Sequence, residues 1–128
     1  MKTFVSMGAF FCLLGVVAGA LGAHALAGQL ERTGGTGNYL LATDYMFYHG
    51  LGLIAAGLAK GRGHPVPVGL AGWLFFGGSI LFQGNLYLIA LAEMRSFQAL
   101  TPVGGVCLMA GWLALAVAAI FGKSRARA

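Results

Sequence analysis

The sequence predicts an all-α protein of the membrane: an integral bundle of four transmembrane helices with both termini in the cytoplasm. Three observations carry that expectation. Hydrophobic residues fill 59% of the 128 positions and charged residues only 9%, where an ordinary soluble domain has roughly 25% charged residues. The stretches 4–23, 66–92 and 99–121 are apolar, and at ~1.5 Å per helical residue about 20 such residues cross a bilayer core. The bases are unevenly divided among the connecting loops, as the positive-inside rule requires. A soluble fold of this length could not cover so much apolar surface. The chain reads as one transmembrane domain, 1–128, with helices at about 4–23, 45–60, 66–92 and 99–121. A net charge of +5 would suggest nucleic acid in a soluble chain. Beside apolar spans, bases orient helices and meet anionic lipid heads instead, so membrane lipids are expected partners and nucleic acid is not.

The first span, 4–23, follows Lys2 and precedes Ala23-His24-Ala25, so a cleaved signal peptide has to be weighed. Its apolar run exceeds the ~7–15 residues of a signal core. It also carries Gly8, Gly15 and Gly22 at intervals of seven, with Gly19 completing Gly15-xxx-Gly19. That places small residues on one face where a second helix can approach closely, and a retained transmembrane helix is expected. Residues 24–44 form the longest interruption, with turn chemistry in Thr33-Gly-Gly-Thr-Gly-Asn38, where Gly35 reads as exposed. Thr43 or Asp44 is the expected cap of the next helix.

The second span, Tyr45 to about Lys60, opens on the aromatic residues Tyr45, Phe47 and Tyr48, suited to a membrane interface. His49 follows Tyr45 by four residues and shares its helix face. A basic loop, Lys60 to Pro65, leads to the third span, Val66 to Ala92, whose 27 residues include no charged side chain. Ser79, Gln83 and Asn85 inside it need partners that lipid cannot supply. After the short Glu93–Gln98 turn, Thr101-Pro102 reads as cap and first position of the fourth span. The third and fourth spans are expected to pack antiparallel, with Gly77, Gly84, Gly104 and Gly111 as candidates for the close approach. Six of the eight bases, Lys2, Lys60, Arg62, Lys123, Arg125 and Arg127, then lie on one side. Arg32, Arg95 and all three acids, Glu31, Asp44 and Glu93, lie on the other. The expected location is the cell (inner) membrane, multi-pass, with both termini inside.

These motifs in order resemble the YgdD family of small four-helix inner-membrane proteins of unknown function. The resemblance rests on Gly22-Ala-His-Ala-Leu26, Tyr45 with His49, Gly78 through Tyr87, Thr101-Pro-Val-Gly-Gly105 and Gly111-Trp112. It implies fold and membrane location, and no biochemical activity. Gln83-Gly-Asn85 stands where small or hydroxyl residues are expected from the family.

Reckoned from the helix ends, the polar side chains gather in the outer half of the bundle. The candidate polar pocket comprises His24, Tyr45, His49, Gln83, Asn85 and Thr101, centred on His49 at ~7 Å below the start of its helix. An ionisable residue inside a membrane is a functional-site hypothesis by default. Three readings of His49 stay open: a tie between helices through Asn85, Thr101 or a carbonyl, a ligand or ion site, and haem or metal ligation. His24 reads as an interfacial residue, Gln83 and Asn85 as interhelical glue worth ~0.6–2 kcal/mol each, and His64 as a solvated loop residue. Cys12 and Cys107 read as reduced, buried thiols. No nucleophile–base–orienter set, HExxH or phosphate-binding glycine loop is visible, so no cofactor, metal or catalytic residue is assigned. The leading functional expectation is a non-enzymatic structural or accessory protein acting through helix packing, in a homo-oligomer or a larger membrane complex. The alternatives are binding or transport of a small molecule, lipid or ion in the outer polar pocket, and a haem-binding subunit.

Overall fold

A computed structural model describes residues 1–61 and 66–121. Arg62, His64, Pro65 and the basic tail Lys123, Arg125 and Arg127 fall outside the described residues. The elements in order are α1 (Lys2–Ala23), α2 (Ala27–Thr33), α3 (Thr36–Gly61), α4 (Val66–Ser79), a π-helical segment (Ile80–Gly84), α5 (Asn85–Ala92) and α6 (Leu100–Phe121). Among the described residues, three stretches are long and apolar enough to cross a membrane: α1, the continuous run Val66–Ala92, and α6. The chain is an all-helical, multi-pass membrane protein. Its fourth long helix, α3, has 26 residues, but Asp44 and Lys60 and a line of polar side chains make it less apolar than the rest.

Glycine spacing builds the packing. α1 runs antiparallel to α3: a Cβ on Gly8 would meet the Gly50 carbonyl at 2.4 Å, one on Gly15 would meet the Phe47 ring at 2.9 Å, and one on Gly22 would meet the Tyr39 ring at 2.4 Å. α6 lies antiparallel on α4 and the π segment, where a Cβ on Gly104 would come within 2.6 Å of the Phe82 backbone nitrogen. Gly111 faces the Phe75 ring in the same way, at 2.8 Å. Phe4, Phe11, Leu53, Ala71, Phe75 and Leu108 form the main core, at the meeting of α1, α3, α4 and α6. Between lipid-soluble helices the alternative to such contact is hydrocarbon rather than water, so close packing and hydrogen bonds, not the hydrophobic effect, favour association. The outward faces carry Phe10, Leu13, Trp73, Ile80, Leu113 and Ile120, all exposed.

Several boundaries differ from expectation. The second long helix begins at Thr36, well before Tyr45. Only Gly34 and Gly35 of the glycine-rich stretch make the turn. Gly34 takes a left-handed φ of 64° after α2, its N–H donating to Glu31 O (3.2 Å) while that of Gly35 donates to Leu30 O (2.9 Å). This pair of back-bonds ends a helix and favours glycine. Gly35 is buried, since a Cβ there would lie 2.3 Å from the Ala90 carbonyl oxygen. Thr43 and Asp44 therefore fall inside α3 and cap nothing. At α6 the helix starts at Leu100, so Thr101 and Pro102 occupy its first turn, where backbone N–H groups lack helical partners anyway. Gly104 and Gly111 do make the close approach of α6 to the Val66–Ala92 run. Gly77 and Gly84 do not: nothing lies within 4 Å of a Cβ on either.

Candidate functional site

The polar side chains form three separate groups. At the end of the bundle that holds Glu31 and Glu93, Asn85 Nδ2 donates to the Phe97 carbonyl (2.5 Å) and to Thr101 Oγ1 (2.7 Å). That one amide fastens α5 to the turn and to the start of α6. At the same end Gln29 Nε2 donates to Leu91 O (2.7 Å) and Thr33 Oγ1 to Ala90 O (2.8 Å). The short α2 thus supplies donors to the last carbonyls of α5, which a helix leaves unpaired. A second group is a ladder across α1, α3 and α5. The Tyr39 hydroxyl donates to Ala18 O (2.5 Å), and Thr43 Oγ1 donates to Tyr39 O (2.9 Å). With the Thr43 proton committed there, the Tyr87 hydroxyl donates to Thr43 Oγ1 (2.8 Å). Third, Gln83 lies fully buried in the π segment, its Nε2 donating to Ser79 Oγ at 3.1 Å. Gln83 Oε1 and Asn85 Oδ1 are sealed from solvent without a partner.

His49 belongs to none of these groups. Counted from Thr36, its depth along α3 is about 20 Å rather than 7 Å, which puts it midway along the helix, whereas Asn85 is near one end of the bundle. The longer helix is the physical reason the two do not meet. His49 Nδ1 pairs with the Tyr45 carbonyl on its own helix at 2.7 Å. A carbonyl only accepts, so Nδ1 carries the proton and Nε2 presents its lone pair. The imidazole is otherwise ringed by aromatics, with centroids 5.5 Å from Tyr45, 5.8 Å from Phe75 and 6.1 Å from Trp112. Nε2 has no hydrogen-bond partner among the described residues.

His49 lines a groove of about 450 Å³ with Tyr45, Tyr48, Phe82, Met109 and Trp112. Leu108 and Gly105 complete its wall on α6. Tyr45 stacks on Phe82 with centroids 5.1 Å apart. Tyr48, Met109 and Trp112 are exposed, so the groove opens toward lipid. Its volume falls within the ~300–1,000 Å³ of small-molecule sites, and a mostly apolar wall with one placed polar atom is their usual composition.

Of the residues expected to share one polar pocket, Tyr45 and His49 come together in this groove, and Asn85 and Thr101 come together elsewhere. Gln83 is enclosed in the π segment. His24 is exposed at the end of α1, its backbone N–H donating to Leu21 O at 3.3 Å. Sequence reasoning missed the Tyr39–Thr43–Tyr87 ladder. Its one visible signal is the spacing of four between Tyr39 and Thr43, which lies in a stretch read as loop. Phe82 and Trp112 carry no sequence mark separating a groove wall from a lipid-facing ring.

Comparison with known proteins places this architecture in a family. Residues 18–105 match the family described as "Protein of unknown function (DUF423)". The chain is 42% identical over 124 residues to a UPF0382 membrane protein of Staphylococcus epidermidis, covering 94% of this chain and 97% of that protein. It is 38% identical over 125 residues to the UPF0382 membrane protein YwdK of Bacillus subtilis, covering 94% and 98% respectively. No solved structure matches. With near-complete coverage of relatives that are themselves named membrane proteins, the chain belongs to the DUF423 family of UPF0382 membrane proteins.

Proposed function

We propose that this protein is a four-span membrane protein, with both termini cytoplasmic, that binds a small membrane-dissolved molecule in the groove around His49. The likeness to the YgdD family is taken as a shared four-span architecture. α3 is the fourth span on this reading. Its polar residues Thr43 and His49 are buried against neighbouring helices rather than in lipid, which is where intramembrane polar groups belong. The observation that carries the binding reading is the free Nε2 acceptor of a 4%-exposed histidine beside a lipid-open aromatic groove. The alternative of transport has less support: Ala56, Val68 and Ala118 fill the Lys60 end of the bundle as an apolar cluster.

Gly105→Leu tests the groove. A Cβ at Gly105 would sit 3.7 Å from Phe82, an ordinary contact, so the longer side chain fills the groove without forcing α6 off α4. Native mass spectrometry from mild detergent should show a small-molecule adduct on the wild type that Gly105→Leu loses. An adduct of unchanged mass and occupancy in the variant counts against the groove as its place.

A second reading, an accessory role through association with another copy or a larger complex, draws on one observation. Gly77 and Gly84 leave a smooth outward patch where the α4–π run meets lipid, and small residues permit close helix approach. Most other glycines in the spans are used inside the fold. If the patch is an interface, Gly77→Leu will lower the subunit count seen by the same native mass spectrometry. An unchanged count removes this reading.

A further inference from the structure

We propose that the His49 groove selects an amphiphile bearing an aromatic hydroxyl, a phenol-like ring on a hydrocarbon tail, whose O–H donates to His49 Nε2. The inference rests on the groove being a ligand site and adds the chemistry of its occupant. The hydrogen-bond direction is fixed by the helix. Tyr45 O takes the Nδ1 proton at 2.7 Å, so the neutral ring offers the groove an acceptor and asks for a donor. A ketone, ether or ester oxygen brings no proton to that position, whereas a hydroxyl does. The walls favour a flat ring. Tyr45 and Phe82 lie nearly parallel, 28° apart, and Trp112 adds a third aromatic ring to the lining, set 4.9 Å from Phe75. Offset and edge-to-face aromatic contacts of this kind add to simple burial. Gly105 contributes no side chain where the ring would lie. Tyr48 and Met109, both exposed, flank the open side through which an aliphatic tail would run into the lipid.

A haem iron could also use the Nε2 lone pair, since a backbone-bonded Nδ1–H is a common way of orienting a ligating histidine. The groove favours the hydroxyl. None of its lining residues is Lys or Arg, so the carboxylates of a haem would enter it unpaired, at a high desolvation cost.

The test uses the full chain in lipid nanodiscs with Trp73→Phe as background. Trp73 packs on Phe4 and Phe76, away from the groove, and its removal leaves Trp112 as the sole indole. Para-nonylphenol is titrated against Trp112 fluorescence, beside para-nonylanisole, which has the same ring and tail and no O–H. The phenol should quench saturably and bind about tenfold more tightly than the anisole, the ratio equivalent to one hydrogen bond of ~1.4 kcal/mol. His49→Phe should abolish that preference, and His49→Gln, which keeps a carbonyl acceptor, should retain part of it and report that the bundle is intact. Equal saturation by both probes overturns the hydroxyl preference while leaving the groove as a ligand site. Saturation by neither overturns both readings. A one-to-one Soret band from added haemin, lost in His49→Phe and not displaced by the phenol, overturns the proposal in favour of iron ligation.

Discussion

At the scale of single residues, two polar side chains that look alike in the sequence do different work. Asn85 bridges two elements, so Asn85→Leu breaks both ties at once, leaving Thr101 Oγ1 without its amide donor while Phe97 O keeps the Leu100 N–H. Interhelical polar contacts within a membrane are worth roughly 0.6–2 kcal/mol each. A clear drop in thermal midpoint, followed by circular dichroism in detergent, is expected. Thr101→Val should be milder, because Asn85 Nδ2 still reaches Phe97 O. His49 is the contrasting case. Its one hydrogen bond is to its own helix, so His49→Leu strands no group on a neighbouring helix and should shift the midpoint far less than Asn85→Leu. A larger loss for His49→Leu than for Asn85→Leu would show that this division is wrong. From short, well-marked helix ends the sequence put Asn85 and Thr101 at similar depths, but it read each as a partner of His49, whereas they bond to one another. It hid the place of His49, because the start of α3 was masked by Thr33–Asn38, whose composition suits a turn whereas most of it is helix.

Among elements, the pairing of the Val66–Ala92 run with α6 was legible from the short turn between them, but its facing surfaces were not. A run that is apolar on every side has no hydrophobic stripe to mark its buried face. Gly77 and Gly78 are adjacent in sequence and point to opposite environments, with Gly78 against Leu108 at 2.8 Å and Gly77 against nothing within 4 Å. The π segment compounds the difficulty. One wide turn changes the phase of everything after it, and such turns arise from local strain and function rather than from a residue pattern. It also brings the Phe82 backbone against Gly104. Gly104→Leu must therefore push backbone from backbone, and overpacking of this kind costs about 1–3 kcal/mol or more. Gly77→Leu should leave monomer stability near that of the wild type. Melting both variants in the same detergent checks the ordering, and equal midpoints would mean that α6 does not seat on the π segment.

For the whole molecule, the distribution of charge along the bundle axis is the feature that orients it. Antiparallel packing of α1 on α3 brings Lys2 and Lys60 to one end, where Lys60 Nζ stands 5.3 Å from the centre of the Phe4 ring. Glu31, Arg32, Asp44, Glu93 and Arg95 lie toward the other. Lys and Arg near span ends set orientation, while acids contribute little; in sequence Arg62 follows Lys60, and Lys123, Arg125 and Arg127 follow the last apolar stretch, giving six bases against Arg32 and Arg95, so the Lys2–Lys60 end is expected in the cytoplasm. α3 decides the count. Its polar residues make it the least apolar of the long helices. Its length of 26 residues corresponds to about 39 Å at ~1.5 Å per residue, enough to cross a core of ~30 Å. If α3 crosses, Gly34 and Lys60 must lie on opposite faces of the membrane. The check is a pair of single cysteines, Gly37→Cys beside the α2–α3 turn, where a side chain meets nothing within 4 Å, and Lys60→Cys, each with Cys12 and Cys107 replaced by Ser. A membrane-impermeant maleimide should label Gly37→Cys in intact cells and Lys60→Cys only after permeabilisation. Labelling of both from outside would mean that α3 does not span. The reverse pattern would place the basic end outside, against the positive-inside expectation.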